Sequence, residues 1–205
     1  RQVLTGFQDN GTSYFDGAKW NRTTGADGME CQYDPGPDNY RYTSIQYGDI
    51  NRSVNDGQPR RIAGEGENGI DEPGNWITPW QLANHNTEVM FIGYLSLWRS
   101  DNLKESNRRD ITWRKISGRI GAANAAFNVV EHSQTDSTML FCSKGVRLFR
   151  TNNALDSTAS FVELTPGTGA FSIADILTHP RSPDTVYLVQ GTDVYRSADT
   201  GSTWV

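Results

Sequence analysis

Along this chain apolar and polar residues alternate in short runs punctuated by Gly, Pro, Asn and Asp, a period of two that predicts strands joined by turns rather than helices. Residues 3–7 and 12–15 flank Gln8-Asp9-Asn10-Gly11. Asn-Gly between alternating runs is a strong hairpin signal, because both residues accept positive φ. The same reading pairs 40–45 with 48–53, 89–92 with 96–100, and 138–142 with 146–151. It places further strands at 171–177, 185–189 and 193–197, with Thr203-Trp204 opening another, and Trp20 opening the last strand of the first unit.

These runs repeat. Ile50-Asn51-Arg52-Ser53, Leu97-Trp98-Arg99-Ser100, Leu148-Phe149-Arg150-Thr151 and Tyr195-Arg196-Ser197 are versions of one segment, and their arginines lie 47, 51 and 46 residues apart. That interval is the length of one four-stranded propeller blade. The expected fold is all-β: a single β-propeller segment of about four to five four-stranded blades, with units near 1–25, 26–75, 76–116, 117–165 and 166–205. The chain opens in mid-strand and stops just past the Trp of a new one, so the ring is expected to be partial and completed by remaining blades of the same protein.

Composition narrows the function classes. Twenty glycines and six tryptophans, with 21% charged residues, suit short strands and tight turns. There is no run of 18 apolar residues, so direct membrane insertion is not expected. A net charge of −5 argues against nucleic acid as a partner. Cys31 and Cys142 lie outside any CxxC or Cys/His cluster and read as small buried strand residues; no metal site and no cofactor are expected.

Ser197-Ala198-Asp199-Thr200-Gly201-Ser202-Thr203-Trp204 matches every fixed position of Ser-x-Asp-x-Gly-x-Thr-Trp. In this the chain resembles the Asp-box (BNR-repeat) propellers of secreted bacterial proteins, a turn motif found in sialidases, sortilin-type propellers and xyloglucan-cleaving glycosidases. Gly6-Phe7-Gln8-Asp9-Asn10-Gly11-Thr12, Gly25-Ala26-Asp27-Gly28-Met29-Glu30 and Trp76-Ile77-Thr78-Pro79 extend the resemblance. Other turns depart from it: Ser53-Val54-Asn55-Asp56-Gly57 lacks the Thr-Trp ending, Ser100-Asp101-Asn102 reaches Thr112-Trp113 only after an insertion, and Thr151-Asn152-Asn153 has Phe161 near the Trp position. The resemblance implies that Ser197, Asp199, Gly201, Thr203 and Trp204 are structural, and that the protein is secreted or at the cell surface.

Because strands alternate direction, the hairpins between second and third strands share one face with the connections between blades, opposite the Asp-box turns. Candidate chemistry is expected on that loop face. Glycoside hydrolysis needs two opposed carboxyl groups, one of them held protonated. Asp9, Asp27 and Glu30 are the catalytic candidates; the alternative is that Asp9 and Asp27 stabilise their own turns and Glu30 faces solvent. Tyr47, Trp76 and Tyr94 are the ligand-binding candidates, as aromatic faces against sugar rings, with packing between blades as the alternative for Trp76 and, more so, for Trp80. The acidic run Glu65-Gly66-Glu67-Asn68-Gly69-Ile70-Asp71-Glu72 offers oxygen ligands but no EF-hand spacing, and reads as a solvated loop. Arg52, Arg99, Arg150 and Arg196 are distributed around the ring and cannot converge on a substrate, which disfavours a sialidase. His85, His132 and His179 read as turn caps too far apart to form one site. The functional expectation is a recognition propeller binding a glycan or a protein partner, with a xyloglucanase-like glycoside hydrolase and a sortilin-like peptide-binding or assembly module as alternatives.

Overall fold

The computed structural model describes residues 2–34, 36, 38–166 and 170–205. It is built of five successive antiparallel sheets, each a meander in chain order. Sheet 1 holds β1 (Val3–Phe7), β2 (Gly11–Phe15) and β3 (Trp20–Thr24). Sheet 2 holds β4 (Cys31–Asp34), β5 (Tyr40–Ser44), β6 (Ile50–Ser53) and β7 (Arg60–Ala63). Sheet 3 holds β8 (Trp80–Ala83), β9 (Asn86–Gly93), β10 (Leu97–Ser100) and β11 (Arg114–Lys115). Sheet 4 holds β12 (Val129–His132), β13 (Leu140–Lys144), β14 (Arg147–Thr151) and β15 (Val162–Leu164). Sheet 5 holds β16 (Ile173–Thr178), β17 (Val186–Gln190) and β18 (Asp193–Ser197). Val205 then exchanges both backbone hydrogen bonds with Arg196, at 2.8 and 3.0 Å, where the pattern places a further strand.

The sheets stand side by side as propeller blades with their first strands inward: β12 packs beside both β8 and β16, while β4 also meets β1 of the preceding sheet as β12 meets β9. Apolar clusters fill the spaces between blades. Tyr42, Ile50, Ile62 and Met90 lie between sheets 2 and 3, Phe91, Leu97, Leu140 and Phe149 between sheets 3 and 4, and Phe141, Leu148, Ile176 and Val186 between sheets 4 and 5. Central strands such as β5, β9 and β13 therefore bury both faces, which is why runs such as Val89-Met90-Phe91-Ile92 are continuously apolar.

Two polar series join the same blades. Arg52, Arg99 and Arg150 each donate from Nη1 to a carbonyl in the next blade: Leu103, Ala154 at 2.6 Å, and Thr200 at 2.7 Å. Nearer the axis, Gln32 Oε1 accepts from the Leu82 amide at 2.9 Å, Gln81 Oε1 from the His132 amide at 2.6 Å, and Glu131 Oε1 from the Thr178 amide at 2.9 Å. Packing between blades is thus fixed in register at both radii, because each side chain meets a backbone group that would otherwise be an unpaired buried donor or acceptor.

Two sequence expectations are corrected. In the first hairpin positive φ falls on Asp9 (64°) and Gly11 (74°) rather than on Asn10, since three residues, Gln8, Asp9 and Asn10, form the loop between the Phe7–Gly11 pair. The strand expected at 48–53 starts at Ile50, because Gln46–Gly48 forms a 3-10 turn with positive φ at Tyr47 and Gly48.

Candidate functional site

The loop face carries the hairpins of the second and third strands and the connections between blades. Two exposed aromatic groups there pair with one another: Tyr47 (55% exposed) and Trp76 (40%), whose rings meet edge to face with centroids 5.2 Å apart. The local chain explains the pairing. Tyr47 has φ 63°, an unusual conformation for a residue with a bulky side chain, and its amide donates to the Trp76 carbonyl at 3.2 Å. Gly48 follows with φ 81°, and a Cβ there would lie 2.6 Å from the Tyr94 ring, so only glycine fits. A cavity of about 450 Å³ beside Tyr47 is lined also by Asp49, Arg61, Glu65 and Pro73. Asp49 and Arg61 form an ion pair at 2.6 Å; burial raises the Asp49 carboxyl, and the Arg61 charge opposes that rise.

A second cavity, also about 450 Å³, opens on the inner strands between Thr5, Glu30, Gln32, Trp80, Gln81 and Glu131. Glu30 sits where the connection from sheet 1 enters β4. Part of its side chain is open to the cavity, yet the surrounding protein desolvates the carboxyl and pushes it up to about 7. The Trp80 amide pulls the other way, and the negative charge of Asp175 adds to the rise. Glu131, which is 7% exposed, is also raised by burial, against hydrogen bonds from Thr178 and Gln81.

The other sequence candidates fall elsewhere. Asp27 Oδ1 accepts from the Asp9 amide at 2.7 Å, and the Asp27 amide donates to Gln46 Oε1, so Asp27 ties the first hairpin to the Tyr47 turn. Asp9 lies at the tip of that hairpin, with its side chain exposed. Tyr94 is corrected: it is fully buried and its hydroxyl donates to the Gly48 carbonyl at 2.8 Å, so it supports the Tyr47 turn from beneath and offers no ring to a ligand. Glu72 is corrected too, since it is 1% exposed and accepts from the Ser96 amide, the Ser96 hydroxyl and Trp98 Nε1. Asp71 and Glu67 pair with Lys115 and Arg108; Asp71 stays in solvent at 69% exposure, whereas Glu67 is largely covered. His85 and His132 are neighbours, with ring centroids 5.6 Å apart, because the turn after β8 abuts the end of β12. His179 Nδ1 accepts from the Arg181 amide within its own turn. Among the described residues no group of three or more His, Cys, Asp or Glu could hold a metal ion.

On the opposite face the turn from Ser197 is held by its own side chains. Asp199 accepts from the Ser197 hydroxyl and from the amide and hydroxyl of Thr203 at 2.8, 2.8 and 2.6 Å, which lowers its carboxyl to about 2; Gly201 has φ 87°, and Trp204 donates to the Gly201 carbonyl. Asn102 and Asn153 accept from the amides of Thr112 and Ser160 in the corresponding turns of sheets 3 and 4. Sequence reasoning missed Gln32, Gln81, Glu131 and Asp175. The first three were within reach, since they lie 49 and 50 residues apart, close to the arginine interval.

No protein-family model and no curated protein matches the chain. Solved structures with the same fold do. A GH74 xyloglucanase from Xanthomonas campestris superposes with a TM-score of 0.69 at 13% identity over 98% of this chain and 35% of that one. YCF48 from Cyanidioschyzon merolae gives 0.68 at 14% identity over 100% of this chain and 68% of that one, and a chain of the mitotic checkpoint complex gives 0.66 at 13% over 100% and 60%. The chain thus spans about a third of the xyloglucanase it resembles, and the likeness is one of fold.

Proposed function

We propose that this chain is a stretch of an Asp-box propeller, secreted or at the cell surface, that recognises a glycan on its loop face through Tyr47 and Trp76. The observation that carries this reading is the Tyr47–Trp76 pair: two large rings held in the open by a positive-φ turn and a backbone hydrogen bond between two loops. Exposed aromatic rings fixed by the backbone suit sugar C–H faces, and they lose little conformational freedom on binding. The neighbouring Asp49, Arg61 and Glu65 supply donors and acceptors for hydroxyl groups. The purified chain screened on a glycan array, followed by calorimetry on the best hit, tests it. Trp76→Ala and Tyr47→Ala should each weaken binding about tenfold or more with the melting temperature held; a protein partner captured by the same two residues, with no glycan bound, would replace the glycan reading.

A second reading, a xyloglucanase-like glycoside hydrolase, is favoured by Glu30. A carboxyl held near 7 in an inner cavity suits a general acid, and Asp175 is close enough to raise it. A reducing-sugar assay on xyloglucan, wild type against Glu30→Gln, decides this reading: no release by the wild type removes it.

A further inference from the structure

We infer that the cleft between sheets 1 and 2 is a second binding site, for a carboxylate-bearing ligand of about monosaccharide size, anchored by Arg41. The inference stands apart from the Tyr47–Trp76 site, which lies on the opposite face.

The repeat itself exposes the anomaly. Apolar clusters fill the spaces between sheets 2 and 3, 3 and 4, and 4 and 5, and among the described residues no such cluster joins sheets 1 and 2. The second-strand residue paired with the Ser or Thr that begins each turn is Met90, Leu140 and Val186 in sheets 3, 4 and 5, and each packs into the cluster shared with the preceding sheet. In sheet 2 that position, paired with Ser53, is Arg41, and it is 3% exposed. A buried guanidinium contributes less to stability than the apolar side chains the scaffold uses at the same place, so packing does not account for it.

What surrounds Arg41 is a binding cleft of about 460 Å³, a volume suited to a small ligand. Its guanidinium stacks over the Tyr14 ring at 4.0 Å, and along its edge Nε donates to Ser53 Oγ at 3.4 Å and Nη1 to Asp56. Lys19 and Arg22 line the other wall. Asp16 is committed to its own turn, accepting from the amides of Ala18 and Lys19 and from Asn21. Asp56 is different: its side chain is 71% exposed, yet one oxygen meets Arg41 Nη1 at 2.7 Å. It belongs to the tight turn between β6 and β7, closed by the Gly57 amide on the Val54 carbonyl at 2.8 Å, in which Asn55 and Asp56 take positive φ of 46° and 63°. An exposed carboxylate held against a buried cation is a stand-in for the ligand's own. A ligand carboxylate that takes its place keeps the buried guanidinium paired, so the exchange costs only the difference between the two pairs, whereas Asp56 leaving alone would strand a buried charge.

Calorimetry at low salt with galacturonate, galactose and N-acetylglycine tests the site. Galacturonate should bind and galactose should not. Equal binding of N-acetylglycine would assign the site to small acids in general, whereas its failure would assign it to acidic sugars. Arg41→Met borrows the residue of the next blade and should fold while losing about ten- to a hundredfold in affinity. Asp56→Asn removes the competitor and should tighten binding several-fold. Arg41→Lys, which keeps the charge without the fork, should bind weakly and serves if the Met variant does not fold. The inference is overturned if neither acid binds the wild type, or if Arg41→Met binds as well as the wild type; weaker binding by Asp56→Asn overturns the stand-in role.

Discussion

Arg99 reaches out of its own blade to the carbonyl of Ala154, which Nη1 meets at 2.6 Å, while its Nε faces Asp101 at 2.6 Å. The guanidinium is 3% exposed and also meets the Asp156 carbonyl, so it holds the whole turn of the next blade. Arg196 occupies the same position in sheet 5 and is exposed. Arg99→Leu should therefore destabilise the chain by about 2–3 kcal/mol, because two carbonyls lose a charged donor. Arg196→Leu should stay within about 0.5 kcal/mol. Urea unfolding of both variants checks the contrast, and equal effects would mean that the arginine series does not join blades.

Glu131 breaks a series of glutamines. Gln32 both donates to Trp80 and accepts from Leu82, a two-way contact that an amide makes without charge. A carboxyl at 131 makes the accepting half, to Thr178, and burial raises it. A raised carboxyl is protonated more readily in the folded than in the unfolded chain. Its contribution to stability is thus full below the unfolded value and is lost as pH rises through the folded one. Glu131→Gln should be neutral near pH 4 and stabilising at pH 8, by about 1 kcal/mol or less. Melting temperatures across that range test it, and a variant less stable than wild type at pH 8 would refute the sign.

Blades were legible in the sequence because a repeat writes the same demand several times. Arg52, Arg99 and Arg150 could be recognised as scaffold from their interval, although the same interval also picks out the exposed Arg196, and the Ser197 turn could be recognised from its residue types. What could not be read was how blades meet. Tyr94 looks like any exposed loop aromatic until the Gly48 carbonyl is seen to take its hydroxyl, and Glu72 looks solvated until Ser96 and Trp98 are seen to surround it. Both contacts join residues more than twenty positions apart. Local pattern does not encode such distances, and the same limit hid Arg41, whose oddity appears only once Met90, Leu140 and Val186 are aligned with it by strand register.

Gly48 tests whether the aromatic pair depends on its turn. An alanine there would be strained at φ 81° and would press its Cβ onto the Tyr94 ring and Thr78 Oγ1, at 2.6 and 2.9 Å. Gly48→Ala should cost about 1–3 kcal/mol. It should also displace Tyr47 from Trp76, weakening any ligand that needs both rings. Gly66, at φ 82° with nothing within 4 Å, supplies the control: Gly66→Ala carries the backbone cost without the clash and should leave the Tyr47–Trp76 contact, read by ring-current shifts, unchanged.

The two thiols should differ sharply in reach. Cys142 is fully buried in β13 between sheets 3 and 4, and burial pushes its thiol far up, so it carries almost no thiolate at neutral pH. Cys31 is half-buried at the wall of the inner cavity, and its thiol is raised chiefly by burial, with the Glu30 charge adding to the rise and the Gly6 backbone opposing it. Titration with a disulfide reagent at pH 8 should therefore consume one thiol slowly and reach the second only in denaturant. A bulky adduct at Cys31 should also close the cavity that Glu30 lines. Any glycosidase activity should then fall with the modification, whereas glycan binding at Tyr47 and Trp76 should survive it. Loss of both together would place the ligand across the inner cavity, and loss of neither would separate Glu30 from any chemistry the chain performs.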